Sequence, residues 1–152
     1  MNRKRDLVSE LIVTVFRLNG RLVEAGNGLV KDLGLTSAWW QVLGALTLSP
    51  MPLPVAHIAR NMGLTRQAVQ RVVDLLADAG FVRFEPNRHH LRAKLVVLTD
   101  RGKKVFDQAM ERQAPWALSL SADLASDSLV TAIAVLKQLD GRLASSSMED
   151  DT

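Results

Sequence analysis

Apolar residues near the start of the chain recur with the spacing of one helical face. Between Arg5 and Lys31 they are separated by steps of three or four residues, and charged residues take other positions. This repeat predicts an amphipathic helix over 5–31 whose apolar stripe needs another surface to cover it. The stripe consists of Leu7, Leu11, Val15, Leu18, Leu22, Ala25 and Leu29.

The far end of the chain has a similar pattern. Thr99 and Asp100 can cap a long helix that continues towards Leu120, and another helix follows a break rich in serine and aspartate. We therefore predict helices over 105–144 and disorder in the small, acidic segment 145–152. The stripe of the last helix consists of Leu129, Ile133, Leu136, Leu139 and Leu143.

Three shorter helices are predicted between these ends, each with its own start and stop signals. A threonine hydroxyl can accept from the free amides of a first turn, proline suits a helix start, and glycine or proline ends a helix. The three pairs of signals are Thr36 with Pro50, Pro54 with Gly63, and Thr65 with Gly80.

Two β-like runs follow these helices, at 81–84 and 94–98. The polar segment Pro86–His90 between them contains turn-forming residues, so the runs predict a β-hairpin. The expected fold class is mainly α with a small β-hairpin.

Ala59, Gly63 and Val69 stand at relative positions 0, 4 and 10 where two of the short helices meet. A small residue allows close crossing, glycine accepts a positive φ, and a branched apolar residue packs the second helix on the first. This spacing predicts a helix-turn-helix. A plain corner in a helical core would use the same pattern, and that alternative stays open.

Polar side chains begin the helix that follows this turn, and cations line the hairpin. Such side chains donate to phosphates or read base edges in the major groove, and an arginine near a hairpin tip can enter the minor groove. We therefore interpret this region as a winged helix-turn-helix that binds DNA. The candidate contacts are Thr65, Arg66, Gln67, Gln70 and Arg71 in the helix, and Arg88, Arg92 and Lys94 in the hairpin.

The distribution of charge agrees with this interpretation. The 152 residues carry a formal net charge of +3, but 57–104 alone hold ten Lys or Arg against four Asp or Glu, a net +6. Residues 105–152 hold three against eight, a net −5. The central segment is therefore the electropositive part, although a charge run by itself is usually a solvated face.

In three segments the sequence resembles the MarR family of bacterial transcriptional regulators. The resemblance lies in Leu35–Leu43, Ile58–Val82 and Arg92–Gly102, and it spans about 35–104. It implies one domain over 1–152, a winged helix-turn-helix lobe over 35–104, and helices 5–31 and 105–144 that interlock two chains as a homodimer. It further implies a repressor on a pseudo-palindromic operator. Where the family's wing tip usually reads Asp-x-Arg, this chain has His90-Leu91-Arg92.

Many members of the family release DNA when a small aromatic effector binds, so the resemblance also suggests a ligand cleft. Its candidate residues are Arg17, Trp39, Trp40, His57 and Trp116. The alternative is that the tryptophans serve only core and interface packing, as large aromatic side chains usually do.

Several other classes of function are disfavoured. The chain has no cysteine, which excludes disulfides and thiol sensing. We expect no metal, because the neighbours His89 and His90 point to opposite faces of a hairpin and His57 is distant in sequence. No catalytic constellation, phosphate loop or membrane span is evident, so we expect a cytoplasmic protein that is not an enzyme and has no cofactor.

The competing hypothesis is a winged-helix module for protein–protein association. In that case the basic face would meet an acidic partner and would show no preference for a DNA sequence. Strong salt dependence together with sequence selectivity would favour the DNA-binding regulator.

Overall fold

The structure, a computed structural model, describes residues 2–149 and is mainly helical with a small antiparallel sheet. The predicted helices and the hairpin are all present. In chain order the elements are α1 (Arg3–Val30), a 3-10 turn (Lys31–Leu33), α2 (Ser37–Leu48), β1 (Leu53–Pro54), α3 (Val55–Met62), α4 (Arg66–Asp78), β2 (Val82–Glu85), β3 (Leu95–Leu98), α5 (Asp100–Leu120) and α6 (Ser126–Glu149).

The chain forms two compact units that divide between Ala114 and Pro115, inside α5. The sequence predicted one domain. The first unit contains a hydrophobic core, whereas no described side chain of α6, in the second unit, is fully buried. The largest fully buried side chains of that core are Leu43, Ile58, Leu76, Val30, Val42, Val69, Val73 and Val96.

The sheet has three strands where the sequence predicted a two-stranded hairpin. β1 pairs with β3 through Leu53 opposite Val96, and the strand order is β1-β3-β2. A strand of two residues has no alternating pattern to reveal it. Pro54 is tolerated there because β1 is an edge strand, where a missing amide hydrogen breaks no ladder.

The turn between α3 and α4 has the predicted helix-turn-helix geometry. Gly63 has φ +64° and ends α3, and the amide of Leu64 donates to the carbonyl of Ala59 at 3.0 Å. Ala59 and Val69 are both buried where the helices meet. The left-handed backbone at Gly63 reverses the chain within a few residues, which residues with a Cβ rarely allow.

Another close junction joins the base of the hairpin to α5. The Thr99 hydroxyl donates to the carbonyl of Gly80 at 2.7 Å and accepts from the amide of Gly102 at 3.0 Å. A Cβ on Gly102 would overlap the carbonyl oxygen of Phe81. The start of α5 therefore lies directly against the strand that leads into the hairpin.

Hydrogen bonds attach α1 to the rest of the first unit, among them one from the Ser37 amide to the side-chain oxygen of Asn27 at 2.7 Å. The buried Ser37 hydroxyl, at the start of α2, donates to the carbonyl of Val23 at 2.6 Å. Arg112 of α5 donates to the carbonyl of Leu29, near the end of α1, at 3.2 Å. It also donates a hydrogen bond to the carboxylate of Asp32, in the 3-10 turn that follows α1. The hydrogen bond from Arg112 holds the pKa of Asp32 below its ordinary value.

The last helix is longer than predicted. α6 runs to Glu149, so 145–149 are helical where the sequence predicted a disordered tail; 150–152 lie outside the described residues. The hydroxyl of Ser145 donates to the carbonyl of Gly141 at 2.9 Å, and that of Ser146 donates to Leu143 at 2.9 Å. Serines of a helix can satisfy their hydroxyls in this way without leaving it.

We expect Gly102→Ala to lower the free energy of unfolding by about 3 kcal/mol or more, because the new methyl group overlaps backbone at the hairpin base. Gly28→Ala in α1 is the matched control, since a Cβ there meets no atom within 4 Å. Its effect should stay within about 1 kcal/mol of zero. Urea unfolding followed by circular dichroism measures both, and equal effects would contradict this account.

Candidate nucleic-acid interface

The polar side chains predicted to bind DNA lie on the exposed face of α4. Val69, Val73 and Leu76 are buried against the core, so the helix presents its remaining faces to solvent. The Thr65 hydroxyl accepts from the amide of Ala68 at 3.1 Å and caps the helix. Thr65 therefore acts first as the structural start of α4. The exposed candidate residues of α4 are Arg66, Gln67, Gln70 and Arg71, and Asp74 and Asp78 are also exposed on this helix.

A groove of about 580 Å³ lies between α4 and the hairpin. It brings together five of the eight residues predicted from the sequence. Arg71 and Arg88 are exposed outside its lining, on α4 and on the hairpin turn. The lining residues from α4 and the hairpin are Arg66, Gln67, Gln70, Asp74, Phe84, Arg92, Ala93 and Lys94, and Val55 and Ala56 of α3 complete it.

Asp74 is a member of this groove that the sequence analysis did not name. The Gln70 side-chain amide donates to a carboxylate oxygen of Asp74 at 2.9 Å. The signal was present in the sequence, because residues four apart on a helix are neighbours on its surface. Asp74 therefore orients the Gln70 side chain towards the groove.

The wing tip, which we define as residues 87–93, consists of two consecutive turns. The amide of His90 donates to the carbonyl of Asn87 at 3.2 Å, and the amide of Ala93 donates to the carbonyl of His90 at 3.1 Å. The Asn87 side chain also accepts from the amide of His89 at 3.1 Å. These bonds give the wing tip a defined shape in the absence of a partner.

The ion pairs among the described residues all lie outside the lining of the groove. Arg5, Arg83, Lys103 and Arg112 each form an ion pair. Within residues 2–149, no ion pair involves any candidate DNA-binding cation: Arg66, Arg71, Arg88, Arg92 or Lys94.

Two further contacts involve cations of the hairpin. Arg83, which the sequence grouped with the basic hairpin, is bound to Glu85 and is not free in this state. Lys94 has its ammonium 6.0 Å from the centre of the Phe84 ring. The groove is thus electropositive, and its cations are available to bind phosphates.

The residues predicted to bind an effector do not share one environment. Trp39 and Trp40 are half-buried and pack against the core of the first unit, and Arg17 is exposed on α1. Trp116 belongs to the second unit.

His57 lies in another groove, of about 800 Å³, together with His89. The two histidines are therefore close in the fold, although the sequence analysis set His57 apart from the hairpin. Within the described chain, no three His, Asp or Glu side chains are grouped as metal ligands would be. None of the described helices combines the length and apolar composition needed to cross a membrane.

We expect Thr65→Ala to lower the free energy of unfolding by about 1 kcal/mol, because an amide of the first turn of α4 loses its acceptor. Thr65→Ser is the matched control, since it keeps the hydroxyl and should stay close to the original protein. Chemical unfolding distinguishes the two. A serine variant as unstable as the alanine variant would show that the methyl group, and not the cap, matters.

Comparisons with known proteins agree with this architecture. A sequence profile described as MarR family matches residues 33–93. A protein of Mycobacterium tuberculosis that carries no functional name is 36% identical over 107 residues, which cover 70% of this chain and 73% of that protein. The transcriptional activatory protein BadR of Rhodopseudomonas palustris is 27% identical over 106 residues, 68% of this chain and 61% of that protein.

Solved structures show the same fold. A MarR family transcriptional regulator from Streptomyces coelicolor has a TM-score of 0.75 at 26% identity, with 92% of this chain and 96% of that chain covered. A MarR family regulator from a Rhodococcus species has a TM-score of 0.78 at 20% identity, with 88% and 94% covered. The sequence matches and the winged helix-turn-helix together show that this chain belongs to the MarR family of transcriptional regulators.

Proposed function

We propose that the protein is a homodimeric repressor that binds a specific, pseudo-palindromic site in duplex DNA. The observation that carries this proposal is the groove between α4 and the β2–β3 hairpin, which we call the wing. The cations that line this groove form no ion pair within the described residues. Unpaired cations on a rigid surface suit the phosphate backbone, and the adjacent amide side chains suit base edges.

In this proposal the start of α4 reads the major groove. Arg66 suits the O6 and N7 acceptors of guanine. Gln70 gives one amide hydrogen to Asp74, which leaves its carbonyl oxygen and its second amide hydrogen free. Those two groups match the donor and acceptor of an adenine edge. Gln70 is therefore assigned to adenine, and Asp74 to positioning Gln70.

The remaining cations bind the backbone and the minor groove. Arg71 and Lys94 are assigned to phosphates beside α4, and Arg88 to a phosphate beside the wing tip. Arg92 is assigned to the minor groove, where a guanidinium is attracted by the negative potential. Because His90 stands where the family usually has aspartate, Arg92 lacks that carboxylate partner and relies on the two turns for its position.

The homodimer is supported by the apolar faces of the two long terminal helices. Phe16 of α1 is 74% exposed and Val130 of α6 is 66% exposed. Contiguous exposed apolar surface of this kind is typical of an interface. A second copy offers the same stripes, and a two-fold dimer would place its two α4 helices about 34 Å apart, one turn of DNA. Other exposed members are Leu7, Ile12, Val13, Leu18 and Leu22 in α1, and Leu129, Ile133, Leu136 and Leu143 in α6.

Repression is the direction we propose, because a dimer bound over a promoter excludes the polymerase. The named relative BadR is an activatory protein, so transcription from the identified operator in vitro decides the direction for this chain. Less transcript with added protein supports repression, and more transcript contradicts it.

A small aromatic effector is retained in the proposal on the basis of Trp39 and Trp40, which are half-buried beside the core. His57, Arg17 and Trp116 stay candidates from the sequence, and His57 lies in the groove with His89. Titration with salicylate-like compounds, followed by tryptophan fluorescence and by release of bound DNA, tests this element. An unchanged signal in both measurements would contradict it for that class of compound.

We expect a selection from random duplexes to enrich a palindrome with half-sites about one turn apart. Arg66→Ala or Gln70→Ala should relax preference at single positions by about 5- to 150-fold, since one good bidentate contact discriminates by about 1–3 kcal/mol. Arg92→Ala should weaken binding more evenly across sequences and reduce the salt slope of the dimer by about 2, one for each wing.

The matched control for these variants is Arg83→Ala, which removes a wing cation that already pairs with Glu85. It should change binding little. Binding that shows no preference among duplexes would support a protein–protein module instead, and equal losses on all sequences for every variant would contradict the division of roles.

We expect light scattering after gel filtration to give the mass of two chains at micromolar concentration. Leu18→Glu combined with Ile133→Glu should shift the protein to monomer, because both changes place charge in exposed apolar stripes. Leu48→Glu is the control, since Leu48 is exposed outside these helices. A wild-type monomer, or a double variant that stays dimeric, would contradict the proposed interface.

A further inference from the structure

The apex of the wing holds an exposed leucine beside an arginine. Leu91 and Arg92 are the two central residues of the turn that the bond from the Ala93 amide to the His90 carbonyl closes. Leu91 is 91% exposed, the largest value among the exposed large apolar residues of the described chain. The turn that precedes it, 87–90, is held by its own backbone bond and by the Asn87 side chain. The leucine is thus presented to solvent on an ordered support.

A single exposed leucine is common on protein surfaces and by itself needs no explanation. The surroundings of Leu91 are what suggest an occupant. From 86 to 94 the chain holds Arg88, Arg92 and Lys94 and no acidic residue. None of these cations forms an ion pair within the described residues. An apolar side chain surrounded by free cations matches a partner whose surface combines phosphates with apolar faces.

Duplex DNA has this combination in its minor groove. The groove is about 6 Å wide, so it admits single side chains from a turn and excludes a whole β-ribbon. Its walls carry phosphates at the rim, and the faces of its base pairs become accessible to an apolar wedge when a step opens. An acidic protein partner with an apolar pocket is the competing occupant, and it would leave the base steps of DNA stacked.

We propose that Leu91 enters the minor groove next to Arg92 and partly unstacks one base step, which kinks the operator at the position of each wing. The inference rests on the proposed DNA-binding function. Pyrimidine–purine steps such as TA unstack most easily, so the wing reads sequence through deformability at positions that α4 does not touch. The Arg92 guanidinium is attracted by the negative potential of the minor groove, and Leu91 makes the apolar contact with the opened base step.

The test places 2-aminopurine, which brightens when it unstacks, at successive steps outside each half-site of the selected operator. With saturating wild-type protein, one step on each side should brighten at least twofold. Leu91→Ala at saturation should leave that step dark, bind about tenfold more weakly, and keep the same salt slope because no charge is lost. Leu91→Met, which keeps an apolar side chain of similar length, should retain the signal.

The matched control is Leu48→Ala, which removes an equally exposed leucine, 88%, at the end of α2; it lines one groove with Asn87 and His89 but lies outside the turn 90–93. It should behave as wild type. Equal 2-aminopurine signals for wild type and Leu91→Ala at saturation would overturn the inference and leave the α4 assignment intact. Failure of the wild-type protein to select any duplex would instead overturn the proposed function.

Discussion

The left-handed backbone at Gly63 determines which way the polar side chains of α4 point. Because the chain reverses there with φ +64°, α4 starts almost at once, and the Thr65 hydroxyl satisfies an amide of its first turn. Val69 and Ala59 are both buried in the core. With one face of α4 committed to the core, Arg66 and Gln70 have no environment except the groove and solvent.

For α4 and the hairpin to form one groove, the distance between them must also be fixed. Gly80 ends α4 with a positive φ, and Thr99 returns to it by a hydrogen bond from the far end of the hairpin. The absence of a side chain on Gly102 lets α5 approach the carbonyl of Phe81. The wing is therefore attached at a rigid base, and its free cations are presented beside α4 without the cost of ordering a loop on binding.

The apolar stripes of the two terminal helices have no cover within a single chain. α1 and α6 carry apolar stripes that stay exposed, and α6 buries none of its described side chains fully. A helix with one apolar stripe gains its stability by covering that stripe. The exposed apolar side chains of these helices are the strongest support for an interface with a second copy. A dimer would set the spacing of two DNA-binding grooves.

The sequence by itself determined the elements whose causes are local. Thr36, Thr65, Gly63 and Gly80 mark helix ends because capping and positive φ depend on neighbouring residues only. The same is true of the helix-turn-helix, whose three packing residues lie within eleven positions. Helix periodicity likewise places Arg66, Gln67 and Gln70 on exposed faces of α4, whereas the groove that they line with Arg92 and Lys94 depends on how α4 and the hairpin pack together.

Only the tertiary structure decided the features that join distant segments. Leu53 and Pro54 become a strand because β3 supplies the partner, not because of any pattern in two residues. His57 lies in one groove with His89, 32 positions away. Local propensity acts through a few neighbouring dihedrals, whereas these contacts depend on how the packed core brings separate elements together.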